Sequence, residues 1–361
     1  MDKRKHGFRG NIPLLIVEIC ILCVAVGVMY EVVVMTNEVS HTDIDEKKIH
    51  INEAVAREKN TGVIKVEAKE EEKPKGCRNI ALFGVDARDG ALGKGTRSDT
   101  IIIASINLDR QEIRLVSVFR DTYLNLGNDT YNKCNTAYAK GGPEQAINML
   151  NMNLDLDITD YITIGFSGLI DAVDALGGVE MEVTDAEITH LNNYQLCMAQ
   201  ELGAAYEPVG KSGIQLLNGM QATAYCRIRY TKGDDFRRAE RQRAVLAAML
   251  DKASDASLSE LTEVVNAVLP QVETSLNINE IFNVLGSAAG YHMAVSDGFP
   301  FEGNRAGANV GSKGSCVIPA DLEENVRQLH QVLYPDERYT PSVEVRRISE
   351  EIIGQTERFL Q

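Results

Sequence analysis

Chemistry is written most densely between Tyr225 and Arg243, where seven Lys/Arg side chains stand against three acids in a chain of formal net charge −15. Guanidinium is the side-chain group whose rigid fork matches phosphate oxygens two at a time. A run of arginines in an acidic protein therefore points to a phosphate-bearing ligand. Tyr225, Arg227 and Arg229 alternate with Cys226, Ile228 and Tyr230, a period that predicts a strand with both arginines on one face. After Gly233-Asp-Asp235 a helix is predicted over 236–252. Arg238, Arg241 and Gln242 occupy its first turns, and Val245, Leu246, Met249 and Leu250 follow at helical spacing. The first N–H groups of a helix lack partners and sit at the positive end of its dipole, which favours an anion there. The competing reading is a solvated helix face laced with ion pairs.

Four smaller clusters fall at or near strand ends. Asp86 and Arg88 lie in Gly84-Val-Asp-Ala-Arg88, Arg97 and Asp99 in Gly95-Thr-Arg-Ser-Asp-Thr100, and Arg120 and Asp121 in Ser117-Val-Phe-Arg-Asp121. Lys133 and Asn135 lie in Asn132-Lys-Cys-Asn-Thr-Ala-Tyr138. A carboxylate beside an arginine at a strand end is ordinarily a structural ion pair, but recurrence at three successive junctions favours a shared site. Asp86 and Asp99 could together hold one Mg²⁺, a hard cation commonly bound by one or two carboxylates plus phosphate oxygens. The six histidines are scattered, without H-E-x-x-H or a Cys/His cluster, so a metal here would take oxygen ligands. Gly165-Phe-Ser-Gly168 lacks G-x-S-x-G spacing, which leaves a serine hydrolase without support. An acidic total, with no helix-turn-helix and no basic reading helix, argues against a nucleic-acid partner.

The elements that must position these groups alternate along the chain. Apolar runs predict strands over 79–85, 100–106, 113–118, 161–166 and 179–183, and helices over 143–152 and 167–176, the helices bounded by Gly141-Gly142 and Gly177-Gly178. The expected fold class is α/β: a central sheet wrapped by helices, with functional groups on loops at strand ends. The 113–118 run is short and strongly β-branched, as buried strands tend to be.

The two ends bound the remainder. Residues 1–12 form a basic tail with Lys3, Arg4, Lys5 and Arg9, and 13–35 is an almost unbroken apolar run, close to the ~20 residues that span a bilayer. Glu18 interrupts it near the basic end. An uncleaved signal-anchor helix is expected, with everything beyond it outside the cell membrane. A cleavable signal peptide fits less well, because the run is long and no Ala-x-Ala site follows. Residues 36–76 are polar and charged and read as an extracellular stalk, leaving 77–361 as one catalytic domain. Cys20 and Cys23 lie in the apolar run, and Cys77, Cys134, Cys197, Cys226 and Cys316 show no paired spacing, so no disulfide framework is implied.

The blocks GVDAR (84–88), TRSDT (96–100), SVFRD (117–121), KCNTAY (133–138) and RIRY…DDFRRAERQ (227–242) stand in the order that resembles the LytR–CpsA–Psr (LCP) family of membrane-anchored cell-wall enzymes. Asp160-Tyr161, the segments 170–179 and 213–222, and the ending with Asn325, His330 and Tyr339-Thr-Pro-Ser342 are similar too. The resemblance covers roughly residues 77–353. It implies an α-β-α domain with a greasy cavity for a lipid chain. The implied reaction moves a glycopolymer, such as teichoic acid or capsule, from a polyprenyl pyrophosphate carrier to a muramic-acid hydroxyl of peptidoglycan, leaving a phosphodiester. Carried over by position, the pyrophosphate contacts are Arg97, Arg120, Arg227, Arg229, Arg238, Arg241 and Gln242, with Lys133 and Asn135 beside them. Asp86 and Asp99 form the magnesium side. Arg120, Asp235, Arg238 and Arg241 are expected to carry the catalysis, Asp235 as the carboxylate that orients or deprotonates the incoming hydroxyl. Two positions depart from the family pattern: Phe119 stands where proline is common, and Cys134 where an aliphatic residue is usual. A non-catalytic binder of lipid-linked polymer and a lipid-pyrophosphate hydrolase would use the same arginines. The segment 189–210 is a candidate specificity loop.

Overall fold

The computed structural model describes residues 40–41, 44, 46–55, 76–86, 92–229, 234–277, 280–281 and 290–360. The apolar run 13–35 and Arg88 lie outside these. No helix among the described residues is long and apolar enough to cross a membrane.

The first strands among the described residues are β1 (Ser40–His41), β2 (Cys77–Val85), β3 (Ser98–Asn107) and β4 (Glu112–Val118). A short hairpin, β5 (Tyr123–Asn125) and β6 (Tyr131–Lys133), leads into helix α1 (Asn135–Leu154). Next come β7 (Asp160–Ile164), α2 (Phe166–Ala175), β8 (Val179–Val183), α3 (Asp185–Leu202) and β9 (Gly213–Leu217). Helices α4 (Gly219–Arg227), α5 (Asp234–Asp255) and α6 (Leu258–Val268) follow in succession. The last elements are β10 (Val272–Thr274), β11 (His292–Phe299), β12 (Arg305–Asn309), β13 (Ser315–Pro319), α7 (Leu322–Leu333) and α8 (Val343–Thr356).

Seven strands make one mixed sheet in the order β1-β10-β7-β2-β3-β4-β11. β2, β3 and β4 form an antiparallel meander, β7 lies parallel to β2, and β11 parallel to β4. This topology explains why the polar clusters recur at strand junctions. The C-terminal end of β2, the start of β3 and the C-terminal end of β4 share one edge, since Val85 pairs with Ser98 and Ile102 with Ser117. Asp86, Asp99 and Arg120 are therefore neighbours because of strand direction.

Alternation along each strand sends side chains to two different environments. Ala81, Phe83, Ile101, Ile103, Val116 and Val118 join a closed core with Ile147 and Leu150 of α1, Leu329 of α7 and Ile348 of α8. Ile80, Leu82, Ile102, Ala104, Leu115 and Ile162 face the other way and line a cavity of about 810 Å³. Its far wall is built by α2, α4, α5 and α6, through Leu169, Cys226, Val245, Leu246, Met249 and Val265.

The closed side ends in a satisfied polar knot. Asp155 caps α1 in the left-handed conformation (φ 50°). Its carboxylate accepts hydrogen bonds from Ser342 N (2.8 Å), Ser342 Oγ (2.7 Å), Tyr339 Oη (2.5 Å) and Asn52. His330 donates from Nε2 to the Leu154 carbonyl (2.9 Å) and stacks on Tyr339 at 3.6 Å. The C-terminal residues that resemble the LCP pattern thus close the core.

Three expectations are corrected. The stalk over 36–76 is shorter than its composition suggests, because Ser40 and His41 pair with β10 and Asn52 is buried against Met152 and Asp155. Polarity there serves hydrogen bonds to the domain. The predicted strand over 225–230 is, as far as residue 229, the end of helix α4 followed by residues 228–229 outside any helix or strand. A capping box starts that helix: Asn218 Oδ1 accepts from Gln221 N (2.9 Å) and Gln221 Oε1 from Asn218 N (3.0 Å). Every residue from Gly219 to Cys226 is buried, so no 3.6-residue polar stripe reveals the helix. Gly219 is required where α4 crosses α2, since a Cβ there would sit 2.1 Å from the Ile170 carbonyl oxygen. The third correction concerns Arg241 and belongs to the site.

Candidate active site

The arginine cluster sits at the mouth of the cavity, on the sheet edge where β2, β3 and β4 meet. Arg227 leaves the last turn of α4, Arg229 follows two residues later, and Arg238 and Gln242 lie in the first turns of α5. All four line the cavity together with Asp86, Asp99 and Arg120.

Two carboxylates interlace three of the arginines. Asp99 Oδ1 lies 2.7 Å from Arg120 Nη1 and Asp99 Oδ2 3.5 Å from Arg229 Nη2. The Asp99 carbonyl accepts a 3.0 Å hydrogen bond from Arg238 Nη2. Asp235 Oδ1 is 3.1 Å from Arg238 Nη1, 3.6 Å from Arg229 Nε and 3.9 Å from Arg120 Nε. Arg227 is oriented by aromatic faces, its guanidinium carbon 4.3 Å from the Phe166 ring centroid and 5.5 Å from that of Tyr194.

The cluster's own acceptors do not use up its donors. Arg120 Nε, Arg227 Nη1 and Arg238 Nε are buried without a hydrogen-bond partner among the described residues. A buried unpaired donor costs about 1–3 kcal/mol, so these groups favour an anion at the mouth. Burial lowers the Arg238 guanidinium to about 10, partly opposed by Asp235, which leaves it cationic at neutral pH. Burial acts the same way on Arg120, but Asp99, Asp235 and Asp121 outweigh it and shift that group upward. The cavity-lining Cys226 thiol is pushed up to about 12 by burial and is no nucleophile at neutral pH.

Several expected site residues act one step away from the mouth. Lys133 Nζ lies 3.1 Å from Asp121 Oδ1, and Asn135 N donates to the Arg120 carbonyl at 3.1 Å. Cys134 Sγ approaches the Phe119 and Arg120 carbonyls at 3.2 and 3.3 Å. These three successive residues hold the Arg120 loop. Phe119 takes over the stiffening a proline would give. Its N–H donates to the Phe299 carbonyl (2.9 Å), and its ring meets Phe236 edge-on at 4.6 Å. Gly298 makes room for that ring, because a Cβ there would lie 2.4 Å from it. Arg97 is exposed and does not line the cavity.

Arg241 is not at the mouth either. Its side chain is buried, with Nε 2.7 Å from Glu187 Oε1 and Nη1 donating to the Ile228 carbonyl at 3.1 Å. On α5 it is one residue short of Gln242, a rotation of about 100° that turns it from the cavity toward α3. Missed from the sequence were Phe166, Tyr194 and Glu187. The last carries a legible capping-box signal with Thr184, which says nothing of its pairing with Arg241.

Asp86 and Asp99 both line the mouth, but no group of three or more His, Cys, Asp or Glu among the described residues is arranged to hold a metal. They fit a Mg²⁺ only as a partial ligand set that phosphate oxygens must complete, and Asp99 would share it with Arg120 and Arg229.

Residues 39–305 match the LytR_cpsA_psr family. The chain is 32% identical over 226 residues to the polyisoprenyl-teichoic acid–peptidoglycan teichoic acid transferase TagU of Oceanobacillus iheyensis, covering 60% of this chain and 65% of that protein. The solved structure of TagT bound to LI-WTA superposes with a TM-score of 0.58 at 21% identity, covering 75% of this chain and 94% of that one. YwtF (TagT) with bound octaprenyl pyrophosphate lipid gives 0.54 at 20% identity, covering 74% and 94%. These structural likenesses establish the fold.

Proposed function

The chain belongs to the LytR–CpsA–Psr family, and from that premise we propose that it transfers a glycopolymer from a polyprenyl pyrophosphate carrier to a peptidoglycan hydroxyl. One juxtaposition carries the reading: four arginines, three of them with a buried donor unpartnered among the described residues, ring the mouth of an apolar cavity of about 810 Å³. A greasy chain in the hollow leaves its phosphates among Arg120, Arg227, Arg229 and Arg238. The relative named TagU acts on a polyisoprenyl-linked polymer, and TagT holds a prenyl pyrophosphate, ligands of that shape.

In the proposed reaction the acceptor hydroxyl oxygen attacks the sugar-side phosphorus. The bond from that phosphorus to the bridging oxygen breaks, polyprenyl phosphate leaves, and a phosphodiester remains. Transfer of this kind needs alignment and charge neutralisation more than covalent help. Arg238, anchored by Asp235 and the Asp99 carbonyl, and Arg120, anchored by Asp99, present preorganised charge to the leaving phosphate. Asp235 is more than a third exposed and is the carboxylate we assign to orient the hydroxyl and take its proton. Mg²⁺ at Asp86 and Asp99 would supply further neutralisation of phosphate charge. Residues 13–35 would anchor the domain outside the cell membrane, beside its lipid substrate.

The test incubates the 361-residue chain in detergent with a short lipid-pyrophosphate-linked sugar and Mg²⁺, with and without peptidoglycan oligomers, followed by mass spectrometry. Sugar joined to the glycan through a phosphodiester is expected, and EDTA should suppress it. Lipid phosphate appearing at the same rate with no adduct would mean a hydrolase. Binding without turnover would mean a carrier protein.

A further inference from the structure

We infer that Glu187 on α3 is a positioning residue for the arginine clamp, acting through Arg241 on the turn that carries Arg227 and Arg229. The inference rests on the pyrophosphate reading of the mouth. Glu187 Oε2 accepts from Thr184 N (2.9 Å) and Thr184 Oγ1 (2.8 Å), which fixes the carboxylate at the first turn of α3. Its other oxygen accepts from Arg241 Nε at 2.7 Å, and Arg241 Nη1 donates to the Ile228 carbonyl at 3.1 Å. Ile228 is fully buried and stands between the two clamp arginines. A hydrogen-bonded line therefore runs from Thr184 through Glu187 and Arg241 to the peptide from which Arg227 and Arg229 diverge.

The energetics favour a geometric role. The Arg241 and Glu187 side chains are only 7% and 9% exposed. Desolvating two charges to that degree offsets most of their attraction, and a hydrophobic pair of similar volume often serves stability as well. A hydrophobic pair would not hold a carbonyl. The same helix reaches the clamp a second time: Tyr194, seven residues on and so on the same face, stacks on Arg227. Arg241 also shares α5 with Arg238 and Gln242, so one side chain ties α3, the Ile228 carbonyl just past α4 and the helix bearing the rest of the clamp.

The experiment measures binding of geranylgeranyl pyrophosphate and geranylgeranyl monophosphate to the full chain in detergent. The variants are Glu187→Gln, the neutral pair Glu187→Gln/Arg241→Met, and each combined with Arg229→Ala. Glu187→Gln removes the counter-charge of the buried Arg241 and is prone to unfold; the neutral pair removes that buried charge as well. If the line positions the clamp, the neutral pair loses about tenfold of the preference for pyrophosphate, the lower end of the effect seen when a partner that orients a metal ligand is lost. Adding Arg229→Ala then costs less than the product of the separate losses. A lower Tm with the preference intact overturns the inference and makes the pair merely structural, and so do fully multiplicative losses. Wild type showing no preference for pyrophosphate overturns the functional reading itself.

Discussion

Ile102 and Ile103 are neighbours in β3, both buried to completion, and they face different things. Ile103 packs into the closed core against α1, α7 and α8, whereas Ile102 looks into the cavity under α5. On the closed face every oxygen of Asp155 is engaged, and helix ends are tied by Ser342, Tyr339 and His330. On the open face the apolar wall is hollow and its rim holds buried guanidinium nitrogens without acceptors among the described residues. One sheet thus supports a face finished within the protein and a face left open at a rim of cations.

The contrast can be broken most sharply at those two isoleucines. Ile103→Ala should cost about 4 kcal/mol, because it opens an enclosed void in addition to losing buried methylenes. Ile102→Ala should cost on the order of 2 kcal/mol, the transfer part alone, since the hollow already exists. Urea denaturation of both variants decides it, and equal losses would mean the open face is packed in solution.

At the rim the larger effect should fall on rate. Arg238→Ala is expected to slow phosphodiester formation about 10²-fold, as loss of one preorganised donor does elsewhere. Retained turnover in a folded variant would remove Arg238 from the reaction. On the closed side, Asp155→Asn should cost about 1–3 kcal/mol by leaving a donor facing Ser342 N, with the transfer rate untouched below the melting range. A drop in rate there would show the two faces to be coupled.

The smallest effect is a pH dependence. Burial raises the Glu187 carboxyl, but hydrogen bonds from Thr184 and Arg241 outweigh it and hold the group below its ordinary 4.5. A depressed acid contributes stability above its unfolded value, and loses it as pH falls through the folded one. Wild type should therefore lose stability more steeply below pH 4.5 than the Glu187→Gln/Arg241→Met pair, measured by denaturant midpoints from pH 6 down. Parallel curves would mean that the carboxylate titrates normally.

Much of the frame was legible in the chain itself. The strand over 179–183 appears as expected, the other strands shift by a residue or two, and the helix predicted over 143–152 is only the part of α1 (Asn135–Leu154) beyond the kink at Gly142 (φ 68°). Near-continuous apolar runs carry that information because both sheet faces are lined by apolar side chains. They cannot carry the difference between a packed face and a hollow one, since isoleucine suits both. The rim arginines were legible as one cluster because guanidinium density stands out in an acidic chain, while their phosphate ligand belongs to the proposal. Arg241 was misplaced because sequence spacing counts arginines without saying which way each helix position turns. Tyr194 and Phe166 gave no sign at all, for an aromatic beside a cation exists only once the chain is folded.

Asp99 holds its three arginines by two kinds of bond. Arg120 and Arg229 meet its carboxylate, while Arg238 is seated on its main-chain oxygen. A carbonyl is common to all twenty residue types, so genetic drift at position 99 would release the first two and leave the third in place. The rim accordingly decays unevenly under mutation, keeping the seat of Arg238 as an inheritance from the backbone.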